Sequence, residues 1–188
     1  MNSIIKLLNS FFEINEDEIQ FFLSKLMIEK VKANTVLIKQ NQRVNKLYFI
    51  ESGLLRTYFL SEGRDISTYF ASDNQLITSY AGFLTQKPSF EYLETIEDCV
   101  LYSITYEDII KLYSENSSFE RLGKILAEQN YLCLIERTYY LQAMQAKEKY
   151  SYFIKKYDKK IVLNVPQKHI ASYLGITPET LSRVRKDI

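Results

Sequence analysis

Five side chains near the end of the chain, Pro178, Glu179, Ser182, Arg183 and Lys186, fall at spacings of 0, 1, 4, 5 and 8. On an α-helix that spacing gathers them on one face. Arg183 carries a planar guanidinium whose paired N–H groups match the O6 and N7 acceptors of guanine, a contact worth about 1–3 kcal/mol of discrimination. Glu179 can accept from the N4 amine of cytosine. The five together are a candidate set for touching base edges. Gln167, Lys168, His169, Thr177, Thr180 and Arg185 are placed to meet phosphates or the nearby nucleic-acid backbone.

Such a face needs a helix held out on a rigid support, and the surrounding residues provide one. In "HIASYLGITPETLSRVRK", Ile170, Ala171 and Leu174 point inward from a first short helix, and the small Ala171 lets a second helix approach. Gly175 suits the left-handed conformation that ends a helix. Ile176 plugs the turn, Thr177 is a good N-cap, Pro178 fits the first helical position, and Glu179 puts an acid in the first turn. Leu181 and Val184 face back into the small core. This is a helix-turn-helix pattern, whose second helix enters the major groove. An amphipathic hairpin with a merely solvated basic face would not require that combination.

The 188 residues are 46% hydrophobic and 25% charged, an ordinary soluble composition. No run of eighteen apolar residues suggests a membrane span, and no signal peptide is read at the start, so a cytoplasmic location is expected. The net charge of +1 hides an asymmetry: residues 147–188 carry ten basic and four acidic residues, the others fourteen and nineteen. A basic end fits a polyanionic partner. Cys99 and Cys133 are too few for a disulfide framework or a Cys-rich metal site, and are expected as buried free thiols.

Upstream, residues 2–12 have helical spacing at Ile4, Leu7, Leu8 and Phe11. Asn15 then caps a helix with Ile19, Phe22, Leu23 and Leu26 on its apolar side. From about residue 28 the period becomes two, with turn signals at Ala33-Asn34, Asn41-Gln42, Ser52-Gly53 and Glu62-Gly63. Regular short strands of this kind predict an antiparallel barrel or roll. Further strands are expected at 90–96 and 99–104, with a short helix and loop before them. Thr105 caps the next helix, and a long helix follows from about Ser118 to Met144. Its apolar residues cover more than one stripe, which predicts packing on the roll and on a second copy. A separate helix is expected over 146–157, with a hinge around Leu141–Ala146. "IVLNV" at 161–165 reads as a short strand, and Pro166 as the first turn of a new helix.

With both ends read, the chain resembles the CRP/FNR family of bacterial transcription regulators, in the branch common in Bacteroidetes-type bacteria. The likeness covers nearly the whole chain, and "IASYLGITPETLSRVRK" carries it most specifically. The resemblance implies an α+β fold: an N-terminal antiparallel β-roll of the double-stranded β-helix or jelly-roll type with flanking helices, a long dimerisation helix, and a C-terminal winged helix-turn-helix. The corresponding parts here are 1–115 as a cyclic-nucleotide-binding-like sensor, 116–145 as the dimerisation helix and 146–188 as the DNA-binding part. In the family's recognition helix an acid is followed four residues later by an arginine, matching Glu179 and Arg183. The position before the acid is often arginine and here is Pro178, so a different half-site is expected.

Other departures concern the sensor. Family members that bind cyclic AMP carry Gly-Glu, a short helix, then Arg followed by Ser or Thr; the arginine neutralises the cyclic phosphate. Here that region runs "SYAGFLTQKPSFEYLE", and no arginine lies between Arg64 and Arg121. Tyr80, Lys87, Ser89, Glu91 and Tyr92 are the candidate lining of a degenerate pocket, with Lys87 as a weak substitute for the missing fork. A response to cyclic AMP is not expected. Two cysteines are too few for an iron–sulfur cluster, and the sole histidine, His169, lies far from the sensor segment in sequence. No cofactor or metal is therefore expected. The family's wing follows the recognition helix, whereas this sequence stops at Ile188; a reduced wing around Ile161–Val165, or none, is expected.

These readings predict a homodimeric regulator that binds double-stranded DNA through the helix at 178–188, with RNA polymerase as a candidate further partner and the effector unassigned. The alternative is a receptor for a cyclic nucleotide or other small ligand whose C-terminal helices bind a protein. An enzyme is not expected, because no Gly-rich phosphate loop, metal pair or nucleophile–base arrangement occurs.

Overall fold

The computed structural model describes residues 2–10 and 15–187. Phe11, Phe12 and Ile188, which the sequence places in helices, lie outside the described residues. Helices α1 (Asn2–Asn9) and α2 (Glu16–Ser24) come first. Asn15 accepts from the Glu18 N–H at 2.9 Å, and Glu18 returns a bond to the Asn15 N–H at 3.1 Å, a closed capping box.

Among the described residues eight strands follow: β1 (Met27–Val31), β2 (Val36–Ile38), β3 (Lys46–Ser52), β4 (Leu55–Ser61), β5 (Arg64–Ala71), β6 (Leu76–Ile77), β7 (Tyr92–Thr95) and β8 (Cys99–Thr105). They form two four-stranded antiparallel sheets, ordered β1-β8-β3-β6 and β2-β7-β4-β5. This is the predicted roll. The turn signals sit where the backbone turns left-handed, at Asn34, Asn41, Gly53, Glu62 and Gly63. Between the sheets pack Ile38, Ile50, Leu55, Leu93 and Leu101, each almost fully buried. The short helix α3 (Tyr80–Thr85) lies between β6 and β7, in the segment of mixed period.

Helix α4 (Tyr106–Glu115) starts at Thr105, whose hydroxyl accepts from the Asp108 N–H. The long helix α5 (Ser117–Ala143) follows, and Phe119 near its start stacks on Phe22 of α2 at 5.5 Å. It ends at Met144, inside the predicted hinge, where extended backbone breaks the helix. Helices α6 (Ala146–Lys156), α7 (Lys159–Asn164), α8 (Gln167–Leu174) and α9 (Pro178–Lys186) complete the chain.

The segment 161–165 corrects an expectation: it is helix, not strand. Asp158 caps α7 by accepting from the Ile161 N–H at 2.9 Å. Ile161 and Val165, four residues apart, are both buried while Leu163 is 74% exposed, a helical pattern in a run whose composition also suits a strand. The reduced wing expected there is therefore absent, and among the described residues no strand follows β8. Pro166 sits at the N-cap of α8, one position earlier than expected. Of the two cysteines, Cys99 is buried but Cys133 is only half-buried, its sulfur 3.2 Å from Lys156 Nζ.

Candidate nucleic-acid interface

Each local feature predicted for the helix pair has a structural counterpart. Gly175 ends α8 at φ 64°, and its N–H caps back onto Ala171 and Ser172. Thr177 caps α9 by accepting from the Thr180 N–H at 3.2 Å, with Pro178 at the first helical position. Ile170, Ala171, Leu174, Leu181 and Val184 are buried, and Ile176 packs against them. The opposite face of α9 is free: Pro178, Glu179, Ser182, Arg183 and Lys186 are exposed and line one shallow, open hollow. The Glu179 carboxyl is held below its ordinary value by its own backbone N–H and the Thr177 hydroxyl, so it is present there as an acceptor.

Gln167, Lys168, Thr177 and Arg185 are exposed, and Thr180 is half-buried with its hydroxyl bonded to Thr177. His169 is a correction. The residue is 8% exposed and its ring is turned toward the roll, with Nδ1 2.8 Å from Nη1 of Arg56 on β4. Burial and the adjacent Arg56 cation push its pKa down to about 4. The ring is therefore neutral at pH 7, with Nδ1 accepting from the guanidinium.

Arg56 on β4 is a functional candidate that no local sequence motif marks. It is 2% exposed and donates in a fork to Asp65, at 2.6 Å for each nitrogen, and to Glu94 at 3.1 Å. It also lies over the Tyr58 ring at 4.0 Å. Burial works against its charge, but the two carboxylates hold the guanidinium above its ordinary value. Nearby, Lys160 bridges Asp73 at 2.7 Å and Glu97 at 2.6 Å, and Ser72 donates to Asp158. Leu54, Phe70 and Ile96 of the roll join the same apolar cluster as Tyr150, Phe153, Ile161 and Leu181. The one available signal was Arg56 itself, a charge inside the apolar run "GLLRTYFL", which must find partners if buried.

The candidate pocket residues do not form one set. Ser89 and Glu91 are buried beside Ser79, whose hydroxyl donates to Glu91 Oε2 at 3.0 Å, and Thr68 donates to Oε1 at 2.6 Å. Burial raises the Glu91 pKa, while these bonds and the Arg137 cation act against that. Lys87 is exposed, so it does not supply the counter-charge that a bound cyclic phosphate needs. Tyr92 stacks on Tyr58 at 4.9 Å, and Tyr80 is a half-buried phenol whose pKa burial raises.

Comparison with known proteins places this architecture in a class. Residues 28–116 match the family described as "Cyclic nucleotide-binding domain". The Anaerobic regulatory protein of Haemophilus influenzae is 28% identical over 189 residues, spanning 92% of this chain and 71% of that protein. Among solved structures, FixK2 from Bradyrhizobium japonicum superposes with a TM-score of 0.78 at 18% identity, over 86% of this chain and 83% of that one. A protein from Eubacterium rectale, described as a transcriptional regulator of the crp/fnr family, gives 0.71 at 21% identity, over 93% and 83%. The class is thus a β-roll of the cyclic-nucleotide-binding type carrying a helical C-terminal part. Within it, the likeness is to transcription regulators of the CRP/FNR type. Among the described residues no helix is long and apolar enough to cross a membrane.

Proposed function

We propose that the chain is a sequence-specific DNA-binding regulator that acts as a cytoplasmic homodimer, with α9 in the major groove. The observation that carries this reading is the outward face of α9, where Arg183 and Lys186 stand exposed beside an ionised Glu179 on a helix fixed by its cap and its buried side. The N-terminal residues of such a helix meet base edges.

Dimerisation is supported by α5. Tyr131, Leu132, Leu134, Ile135 and Tyr139 are each more than half exposed, a stripe that water disfavours and a second α5 would cover. Two α9 helices related by a two-fold axis read a near-palindrome with half-sites about 34 Å apart. The proposed regulator does not respond to cyclic AMP. The Glu91 carboxylate is already bonded by Ser79 and Thr68, in the segment where the family's phosphate-binding arginine is missing, and it would repel a cyclic phosphate.

The test is selection of bound duplexes from a random DNA pool at a stated salt concentration, followed by titration of the enriched site with wild type and Arg183→Ala. The expected outcome is one enriched near-palindrome, with discrimination at a guanine of each half-site reduced about tenfold or more in Arg183→Ala. Absence of any enriched sequence at low ionic strength overturns the reading and favours helices that bind a protein.

A further inference from the structure

The edge strand β5 of the second sheet is covered by α8 of the same chain. An uncovered edge presents unpaired N–H and C=O groups, so what covers it is held by directional bonds as well as by packing. Those bonds converge on Ser67. The register of β4 against β5 shifts by one residue between the pairs Thr57–Tyr69 and Tyr58–Ser67. Thr68 is thus the extra residue of a β-bulge, a feature that bends a strand and re-aims its groups.

At this bulge all three polar groups of the fully buried Ser67 are used. Its N–H donates to Ser172 Oγ on α8 at 3.0 Å. Its carbonyl accepts from Arg137 Nη2 on α5 at 3.2 Å. Its hydroxyl accepts from Arg56 Nη1 at 3.1 Å, the same nitrogen that meets His169. Arg137 also reaches the Tyr173 carbonyl at 3.5 Å and lies over the Tyr173 ring at 4.7 Å. One residue of the roll is therefore bonded to the long helix and to the first helix of the helix-turn-helix. The aromatic packing around Phe70 would tolerate sliding; bonds of fixed direction do not.

We propose that the β5 bulge sets the angle at which α9 is presented, with Ser172 and Arg137 as positioning residues. Neither belongs to the outward face of α9. They act through the orientation of the helix pair, and the proposal rests on the DNA-binding reading. A dimer engages both half-sites only if its two α9 helices keep one separation. A helix pair held at one angle therefore selects one half-site spacing. A loosened pair accepts several spacings, each more weakly, because the competent arrangement is then only a fraction of the population.

The experiment uses the full chain and a series of duplexes that carry the enriched half-sites with the centre lengthened or shortened one base pair at a time, read by fluorescence anisotropy at one salt concentration. Wild type is expected to prefer a single spacing. Ser172→Ala leaves the Ser67 N–H without its acceptor, and is expected to weaken binding at that spacing by about five- to tenfold and to flatten the preference. Ser172→Thr keeps a hydroxyl that can accept from Ser67 and donate to the His169 carbonyl, as Ser172 does at 3.1 Å, and is expected to restore both. Arg183→Ala is expected to lose base discrimination while keeping the spacing preference. Wild-type spacing selectivity in Ser172→Ala, or equal loss in Ser172→Thr, overturns the proposal while leaving DNA binding intact. Wild type that prefers no duplex overturns the DNA-binding reading itself.

Discussion

The single histidine gives the contact between roll and helix pair a built-in probe. Nδ1 of His169 accepts from Arg56 at 2.8 Å, and a proton on that atom would both break the bond and set two cations side by side. Asp65, at 3.9 Å, is the nearest carboxylate and offsets only part of this, since it already forks to Arg56; Lys168 adds repulsion. The folded-state pKa of about 4 lies below the ordinary 6.5. The sign follows directly: the unfolded chain binds the proton more readily, so the contribution to stability is complete above pH 6.5 and is lost as pH falls toward 4. Between pH 7.5 and 5 the loss is about 1–2 kcal/mol, allowing for residual screening around the ring. Other carboxylates also contribute to acid unfolding, so the informative quantity is the difference from His169→Asn, whose amide oxygen keeps an acceptor near the Nδ1 position but does not titrate. Urea unfolding at a series of pH values should show wild type losing that increment and His169→Asn not losing it. The imidazole C–H resonance of wild type should titrate near pH 4. A midpoint near 6.5, or identical pH slopes for the two proteins, would refute the placement of this ring.

Two further outcomes are expected. Phe70, fully buried and in ring contact with Phe153, Tyr157 and Tyr173, joins roll and C-terminal helices, so Phe70→Ala should cost about 3–5 kcal/mol in chemical denaturation while both parts still unfold in one transition. Leu132 and Ile135 are 60% and 51% exposed on α5, and replacing both with Glu should give a monomer by sedimentation, with a melting temperature that no longer rises with protein concentration as that of wild type does. That variant should also lose most of its affinity for the two-half-site duplex.

Much of this organisation is legible in the sequence because local chemistry and tertiary need agree. The roll declares itself through period-two strands and turn residues at left-handed positions such as Asn34 and Gly63. The helix pair does so through Gly175, Thr177 and Pro178, each of which has one physical use there. Where local signals are ambiguous, tertiary packing decides: the run at 161–165 suits either period, and burial of Ile161 and Val165 on one side makes it helix. His169 reads as a surface histidine beside Lys168, and only the covering of β5 by α8 buries it. The same long-range contact hides Arg56, Ser67 and Ser172 from sequence reasoning. Their roles depend on the pairing of segments about 100 residues apart, which no local pattern encodes.

The apolar cluster that Leu54, Phe70 and Ile96 share with the last four helices bears on how the proposed regulator can be re-engineered. The reading head is not a portable cassette. A chimera that grafts residues 146–188 onto a foreign sensor would leave gaps where those three side chains belong, and would strip the cover from Tyr173. Retargeting is better attempted by exchanging the outward side chains of α9 alone, with the host roll kept as the mould in which the reader sets.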